Sequence, residues 1–174
     1  DDGIDVEAQA AVTIDVNGTI SGDPGIVVNS VNGPIVIGGV GNVTGLIGNG
    51  IETNVTGGGA TDNITIARDG VITGGDNGIL ATNAGSGNIE ITVNQAVTGG
   101  TGYGINTATI AGANTVITLN SGADIGSAAG TGILNNVGNS STTVNAGAAV
   151  FGTVELGDGS DALNFNGDLS TITL

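Results

Sequence analysis

The chain has 174 residues, of which 35 are glycine, and it contains no cysteine or histidine and only three aromatic residues. Sixteen acidic residues against one basic residue, Arg68, give a formal net charge of −15. That balance excludes a protein that neutralises nucleic acid or an anionic membrane with Lys and Arg, and the absence of cysteine excludes disulfides and thiolate metal sites. Hydrophobic residues make up 39% of the chain, which argues against disorder, and the length fits a single domain, residues 1–174. No apolar run is long enough for a transmembrane helix.

An internal repeat begins at residue 3. Gly-Ile pairs recur at spacings of roughly 22–28 residues, which is the length of one unit of a repeat protein. The pairs lie at 3–4, 25–26, 50–51, 78–79, 104–105 and 132–133.

Each unit carries two further apolar positions. The second is an alternating pair, found at Ile14/Val16, Ile35/Ile37, Ile64/Ile66, Ile91/Val93, Ile117/Leu119 and Thr142/Val144, and the third is Ile20, Val43, Ile72, Val97, Ile125 or Val150. Three short strands per unit follow from this alternation, and no apolar stripe of helical period occurs. The repeat therefore predicts an all-β protein, a single-stranded right-handed parallel β-helix of six to seven rungs.

Asparagine recurs near the end of the first strand of the units. Counted from each Gly-Ile pair, it lies at Asn29, Asn54 and Asn136, with Asn83 one place further on. Stacked Asn side chains can hydrogen-bond along a column, so we interpret these residues as turn structure.

The last segment, residues 152–174, departs from the repeat and is predicted to form an atypical terminal rung or cap. Within it, LGDGSDALN at 156–164 partly matches the calcium-binding nonapeptide. Asp158 and Asp161 are the candidate Ca²⁺ ligands, since carboxylate oxygens suit this ion. We predict no other cofactor.

The composition argues against catalysis. Without His or Cys, no Ser-His-Asp or Cys-His site can form. Arg68, beside Asp69 and near Asp62, is expected to make a local salt bridge or turn contact on the surface. A polysaccharide-acting enzyme using Asp158 and Asp161, or Asp76, is an alternative that needs only a carboxylate pair. We expect the protein not to be an enzyme.

The Gly-Ile units, the segments NIEITVN and NTVITLNSGADI, and NAGAAVFGTVELGDGSDALNFNG at 145–167 resemble the passenger domains of bacterial autotransporters, the type V secretion adhesins. The resemblance covers nearly the whole chain and implies a right-handed parallel β-helix that is exported to the cell surface or beyond. It carries no catalytic motif over to this sequence. We expect the chain to be either part of a longer precursor or a free-standing solenoid.

These observations predict an acidic, secreted or surface-exposed structural and adhesive repeat protein. Its expected partners are a component of a host or neighbouring-cell surface or of the matrix, with no nucleic acid and no direct membrane insertion by this segment. The alternative is a subunit of an extracellular filament that assembles by end-to-end stacking, because open sheet edges pair with other strands.

Overall fold

The computed structural model describes residues 1–57 and 62–166, and all regular secondary structure in these ranges is β-strand. No helix occurs there, so none in these ranges could span a membrane. The eighteen strands are β1 Ile4–Ala8, β2 Val12–Asp15, β3 Ile20–Gly22, β4 Ile26–Ser30, β5 Ile35–Gly38, β6 Val43–Gly45, β7 Ile51–Val55, β8 Ile64–Arg68, β9 Ile72–Thr73, β10 Ile79–Asn83, β11 Ile89–Val93, β12 Val97–Gly99, β13 Ile105–Ala108, β14 Asn114–Leu119, β15 Asp124–Asn135, β16 Asn139–Val144, β17 Ala149–Glu155 and β18 Ala162–Phe165.

The strands stack in parallel on three faces of a β-solenoid of about six rungs, as predicted. The first face contains β1, β4, β7, β10 and β13, the second contains β2, β5, β8, β11, β14, β16 and β18, and the third contains β3, β6, β9 and β12. The long strands β15 and β17 run from the third face into the first, which joins these two faces into one 11-stranded sheet. The right-handed sense of the coil stays a prediction from chain chirality.

The core consists of three columns of inward side chains. On the second face the predicted pairs are offset by two residues, since Ile14 aligns with Ile37 and Ile66 aligns with Ile91. On the first face the register places Ile4, Ile26, Ile51, Ile79, Ile105 and Ile133 in one line. The second-face and third-face columns, centred on Ile66 and Ile72, are equally continuous. From Ile26 onward the isoleucines of the first column are fully buried, and each contributes about 1.5–3 kcal/mol by leaving water.

The glycine of each Gly-Ile pair is required by close packing at the corner between the third and first faces. A Cβ at Gly78 would lie 2.6 Å from the carbonyl oxygen of Gly104 and 2.6 Å from Cγ1 of Val97. The same two conflicts, with the next glycine's carbonyl and with the third-face core residue of the same rung, recur at Gly3, Gly25 and Gly50. The Gly-Ile pair therefore marks the corner where only glycine fits between the third-face core residue and the next rung.

Asparagine ladders line the corners, but at positions other than those predicted. Of the predicted column, Asn29 and Asn54 share a register, whereas Asn83 pairs with Val55 and is buried. One ladder immediately follows the second-face strands and runs through Asp69, Asn94, Asn120, Asn145 and Asn166. Another starts or immediately precedes those strands and runs through Asn63, Asn88, Asn114 and Asn139. The correct column follows from counting from the second-face strand rather than from Gly-Ile.

The atypical segment continues the stack as far as it is described. Val154 follows Ile133 on the first face, and Leu163 and Phe165 follow Thr142 and Val144 on the second. Residues 152–166 thus form part of a further rung, and the remainder of the predicted cap, 167–174, lies outside the described residues.

Candidate functional site

A groove lies on the corner between the first and second faces in the last rungs. This lateral groove encloses about 430 Å³ and is lined by Ala111, Gly112, Val137, Gly138, Asn139, Asp158 and Gly159. A second depression of about 250 Å³ adjoins it over the second-face strands, with Asn139 lining both. Val137 is 41% exposed and Val116, in the second depression, 40%. The surface therefore combines apolar side chains with amide, hydroxyl and carboxylate groups.

The groove is open because Gly138, at this corner, has no side chain that would fill it. Gly138 has a φ of +92°, which side-chain-bearing residues rarely adopt, and a Cβ there would lie 2.2 Å from Oγ1 of Thr109. The hydroxyl of Thr109 donates to the carbonyl of Val137 over 2.6 Å, which fixes the two successive corners on each other. The groove wall is consequently held in one position by its neighbours along the stack.

Asp158 and Asp161, the predicted calcium ligands, occupy one corner but have different surroundings. Asp158 is exposed, lines the groove and forms an isolated parallel bridge with Val137 through its backbone. Asp161 is half-buried, and its Oδ1 accepts hydrogen bonds from the backbone N–H of Ser140 over 2.9 Å and from the Ser140 hydroxyl over 2.6 Å. Oδ1 of Asp161 therefore already takes part in hydrogen bonds that hold this rung to the rung before it.

Neither aspartate belongs to a larger ligand set in the part of the chain that the structure describes. No group of three or more His, Cys, Asp or Glu side chains converges in residues 1–57 and 62–166. Ca²⁺ prefers six to eight oxygen ligands, of which backbone carbonyls and water supply many in proteins. Calcium binding at Asp158 and Asp161 stays a prediction.

Arg68 lies inside the solenoid, which corrects the expectation of a surface contact. It is 1% exposed and occupies the inward column that continues with Val93, and its guanidinium donates to the carbonyls of Gly38 and Gly41 in the rung before. The prediction of a local surface contact is therefore wrong, since the hydrogen bonds of Arg68 are buried and cross to the preceding rung. Burial lowers the pKa of the guanidinium, and the nearby carboxylates of Asp15 and Asp69 oppose that effect.

Because Arg68 is buried, the side-chain charge on the protein surface comes from acidic residues alone. Since Arg68 is the only Lys or Arg in the sequence, every charged side chain that faces solvent is a carboxylate. A field of one sign attracts positively charged partners over about a Debye length and repels anionic ones. The lateral groove shares this field through Asp158.

Of the residues that line the groove, only Asp158 was named as a site residue from the sequence. Val137 is an apolar residue in a Gly- and Asn-rich corner, outside the three inward columns. Apolar residues at corner positions, where the repeat does not require them, are the signal that identifies such surfaces.

Comparison of the chain with protein-family models, with curated proteins and with solved structures finds no match to any of them.

Proposed function

We propose that this protein is a structural and adhesive β-solenoid, exported to the bacterial cell surface or beyond in the manner of an autotransporter passenger, and that it is not an enzyme. One observation carries the proposal. Parallel pairing continues through all three faces, with register shifts between β15 and β17, so each corner is held by the corners on either side of it. A frame of this kind presents lateral surfaces at constant spacing, as repeat proteins do when they bind extended partners.

The lateral groove is the proposed adhesive surface for a component of a neighbouring-cell or host surface or of the matrix. It has an exposed aliphatic side chain, Val137, beside the amide of Asn139 and the carboxylate of Asp158. Apolar area with a few polar groups around it is the usual composition of a recognition patch.

The test is binding of the purified chain to a panel of immobilised cell-surface and matrix preparations by biolayer interferometry. The expected result is saturable binding that weakens at least about fivefold when Val137→Asp places a charge in the groove, as loss of a central contact does. Val36→Asp is the matched control, because Val36 is similarly exposed at 37% and lies on the second face away from the groove. Equal loss with both variants, or no binding by the unmodified chain, would refute the proposed function.

End-to-end assembly into a filament is the second candidate function, and the first rung favours it. Its inward residues Ile4, Val6, Val12, Ile14 and Ile20 are only partly buried and pack against the core from one side. Among the described residues, β1, β2 and β3 are paired on one side only, with β4, β5 and β6. A further solenoid rung with the same register would bury these side chains and pair those edges.

Negative-stain electron microscopy across a concentration series, with and without calcium, tests this candidate. Filaments that disappear in the Ile14→Lys variant would support it, since a lysine in that position places a charge in the stacking interface. Isolated short particles at every concentration in both proteins would exclude it.

A further inference from the structure

A second exposed surface lies at a different corner of the solenoid, between β6 on the third face and β7 on the first. Leu46 and Ile47 are adjacent in the chain and are 66% and 76% exposed, the highest values among the large hydrophobic residues in the described ranges. Single exposed aliphatic residues are common on protein surfaces, but a neighbouring pair projecting from one corner marks an interaction site more often. We refer to residues 46–48 with these two side chains as the Leu46–Ile47 corner.

Hydrogen bonds from the rung before hold this corner rigidly. The N–H of Leu46 donates to the carbonyl of Gly22 over 2.9 Å. Oδ1 of Asp23 accepts from the N–H of Ile47 over 3.1 Å and from the N–H of Gly48 over 2.6 Å. The carboxylate of Asp23 therefore fixes the backbone that presents the two side chains.

The following rung closes on the corner from the other side. The N–H of Gly75 donates to Gly45 over 3.0 Å, and the N–H of Asp76 donates to the carbonyl of Gly48 over 3.1 Å. A Cβ at Gly75 would lie 2.5 Å from the carbonyl oxygen of Ile47, so the backbones are in direct contact. With both sides occupied, the loop is held in the conformation that exposes Leu46 and Ile47, and little ordering entropy remains to be lost on binding.

Carboxylates border the corner along the stack. Asp23 lies one corner before it and Asp76 one corner after it, and Glu52 lies on the strand that follows, where Asn49 donates to its Oε2 over 2.7 Å. The net charge of −15 adds a long-range field of the same sign. Nucleic acid and anionic lipid surfaces are repelled by that field, and sideways approach of a second copy at this corner is disfavoured by it.

We propose that the Leu46–Ile47 corner is a docking surface for a cationic protein segment in which apolar side chains alternate with Lys or Arg. The apolar side chains would cover Leu46 and Ile47, while the basic ones would face the carboxylates of Asp23, Asp76 and Glu52. This inference rests on the proposed adhesive function, for which it names a partner class at a surface separate from the lateral groove. The interaction is steered by charge and anchored by the two aliphatic side chains.

The experiment uses three short synthetic peptides as probes, with alternating Lys and Leu, alternating Glu and Leu, and alternating Lys and Ser. Each is titrated into the isotopically labelled chain and followed by two-dimensional NMR. The Lys–Leu peptide is expected to shift the amide signals of residues 45–48 and 75–76. Its affinity should fall about tenfold in the double variant Leu46→Ser/Ile47→Ser, since each aliphatic anchor accounts for a several-fold change.

The control is Val40→Ser, because Val40 is 58% exposed and lies on a different corner, between β5 and β6. It should leave the affinity unchanged. Circular dichroism checks that all variants are folded. Folding is expected because the substituted side chains are exposed.

Several results would overturn the proposal. Equal binding of the Lys–Ser peptide, or of the Lys–Leu peptide to the double variant, would show attraction by net charge alone. Binding of the Glu–Leu peptide or of anionic vesicles, or no binding of the Lys–Leu peptide, would contradict the partner class. A dimer in sedimentation that the double variant abolishes would identify a second copy as the occupant. Panel binding that depends on Val137 but not on Leu46 and Ile47 would refute this inference and leave the proposed function standing.

Discussion

The guanidinium of Arg68 donates a hydrogen bond to the backbone carbonyl of Gly41, which lies in the preceding rung of the solenoid. Arg68 occupies the inward position that Val93 occupies in the following rung, and its guanidinium reaches the corner containing Gly38 and Gly41. Nε has no hydrogen-bond partner there, so the site satisfies the guanidinium only in part. A buried charge in such a position joins two rungs at the cost of its hydration.

Replacing Arg68 with alanine should destabilise the protein strongly. The buried carbonyl of Gly41 would lose its side-chain donor, which costs about 1–3 kcal/mol, whereas the carbonyl of Gly38 would keep its hydrogen bond from the N–H of Val16. Arg68→Met should cost less than Arg68→Ala, because methionine fills part of the same column. Urea denaturation measures the difference, and an alanine variant as stable as the unmodified protein would show that water replaces the guanidinium.

Gly78→Ala should lower the free energy of unfolding by about 1–3 kcal/mol or more, as overpacking of a dense core does. Its new Cβ would lie 2.6 Å from a backbone carbonyl oxygen that cannot move without shifting the next rung. Gly18→Ala is the matched control, since nothing lies within 4 Å of the corresponding Cβ. Equal thermal denaturation curves for the two variants would contradict the steric account of the Gly-Ile repeat.

Asn120→Ala should interrupt the ladder that follows the second face. Asn120 donates to Oδ1 of Asn94 over 2.7 Å and accepts from Asn145 over 3.0 Å, so two hydrogen bonds worth about 0.5–1.5 kcal/mol each would be lost. Faster amide hydrogen exchange around residues 94 and 145 is expected with the loss of stability. Asn106→Ala, at an outward position of β13 outside the ladders, should leave both measurements nearly unchanged.

Asp161→Ala should destabilise the protein by about 1–3 kcal/mol in EDTA, because Oδ1 of Asp161 accepts two hydrogen bonds from Ser140. Asp158→Ala, on the same corner but exposed, should have little effect under those conditions. The opposite pattern, in which both variants are neutral in EDTA and both abolish a calcium-induced rise in Tm, would identify the aspartates as ion ligands instead.

The three inward columns could be predicted from the sequence because parallel stacking repeats one residue type at one position. Ile66 and Ile72 are recognisable as core from their alternation alone, and their register confirms it. The burial of Arg68 was not predicted, because the pairs Ile64/Ile66 and Ile91/Val93 were treated as equivalent although Ile66 aligns with Ile91, which puts Arg68 at the inward position opposite Val93. Asn83 lies one place beyond the position of Asn54, as counting from Gly-Ile gives, and its buried side chain accepts a hydrogen bond from the N–H of Gly85 in the turn that follows.

The two proposed interaction surfaces were harder to predict for a related reason. Leu46 and Ile47 fall outside the alternation that marks the core, and composition alone does not distinguish a buried corner residue from an exposed one. Only the hydrogen bonds of Asp23 below and Gly75 above establish that the corner is held outward.

The corners also differ in how readily foreign sequence could be accommodated. The connection from first to second face takes three residues at 9–11 and five at 109–113, whereas the connection from third to first face disappears where β15 and β17 run straight through. Peptides grafted at the exposed residues 110–112 would therefore extend into solvent while the buried Thr109 and Ala113 keep their place in the stack, whereas grafts near Gly78 or Gly132 would collide with the core. The solenoid therefore tolerates sequence change at the corner between its first and second faces and resists it at the corner between its third and first faces.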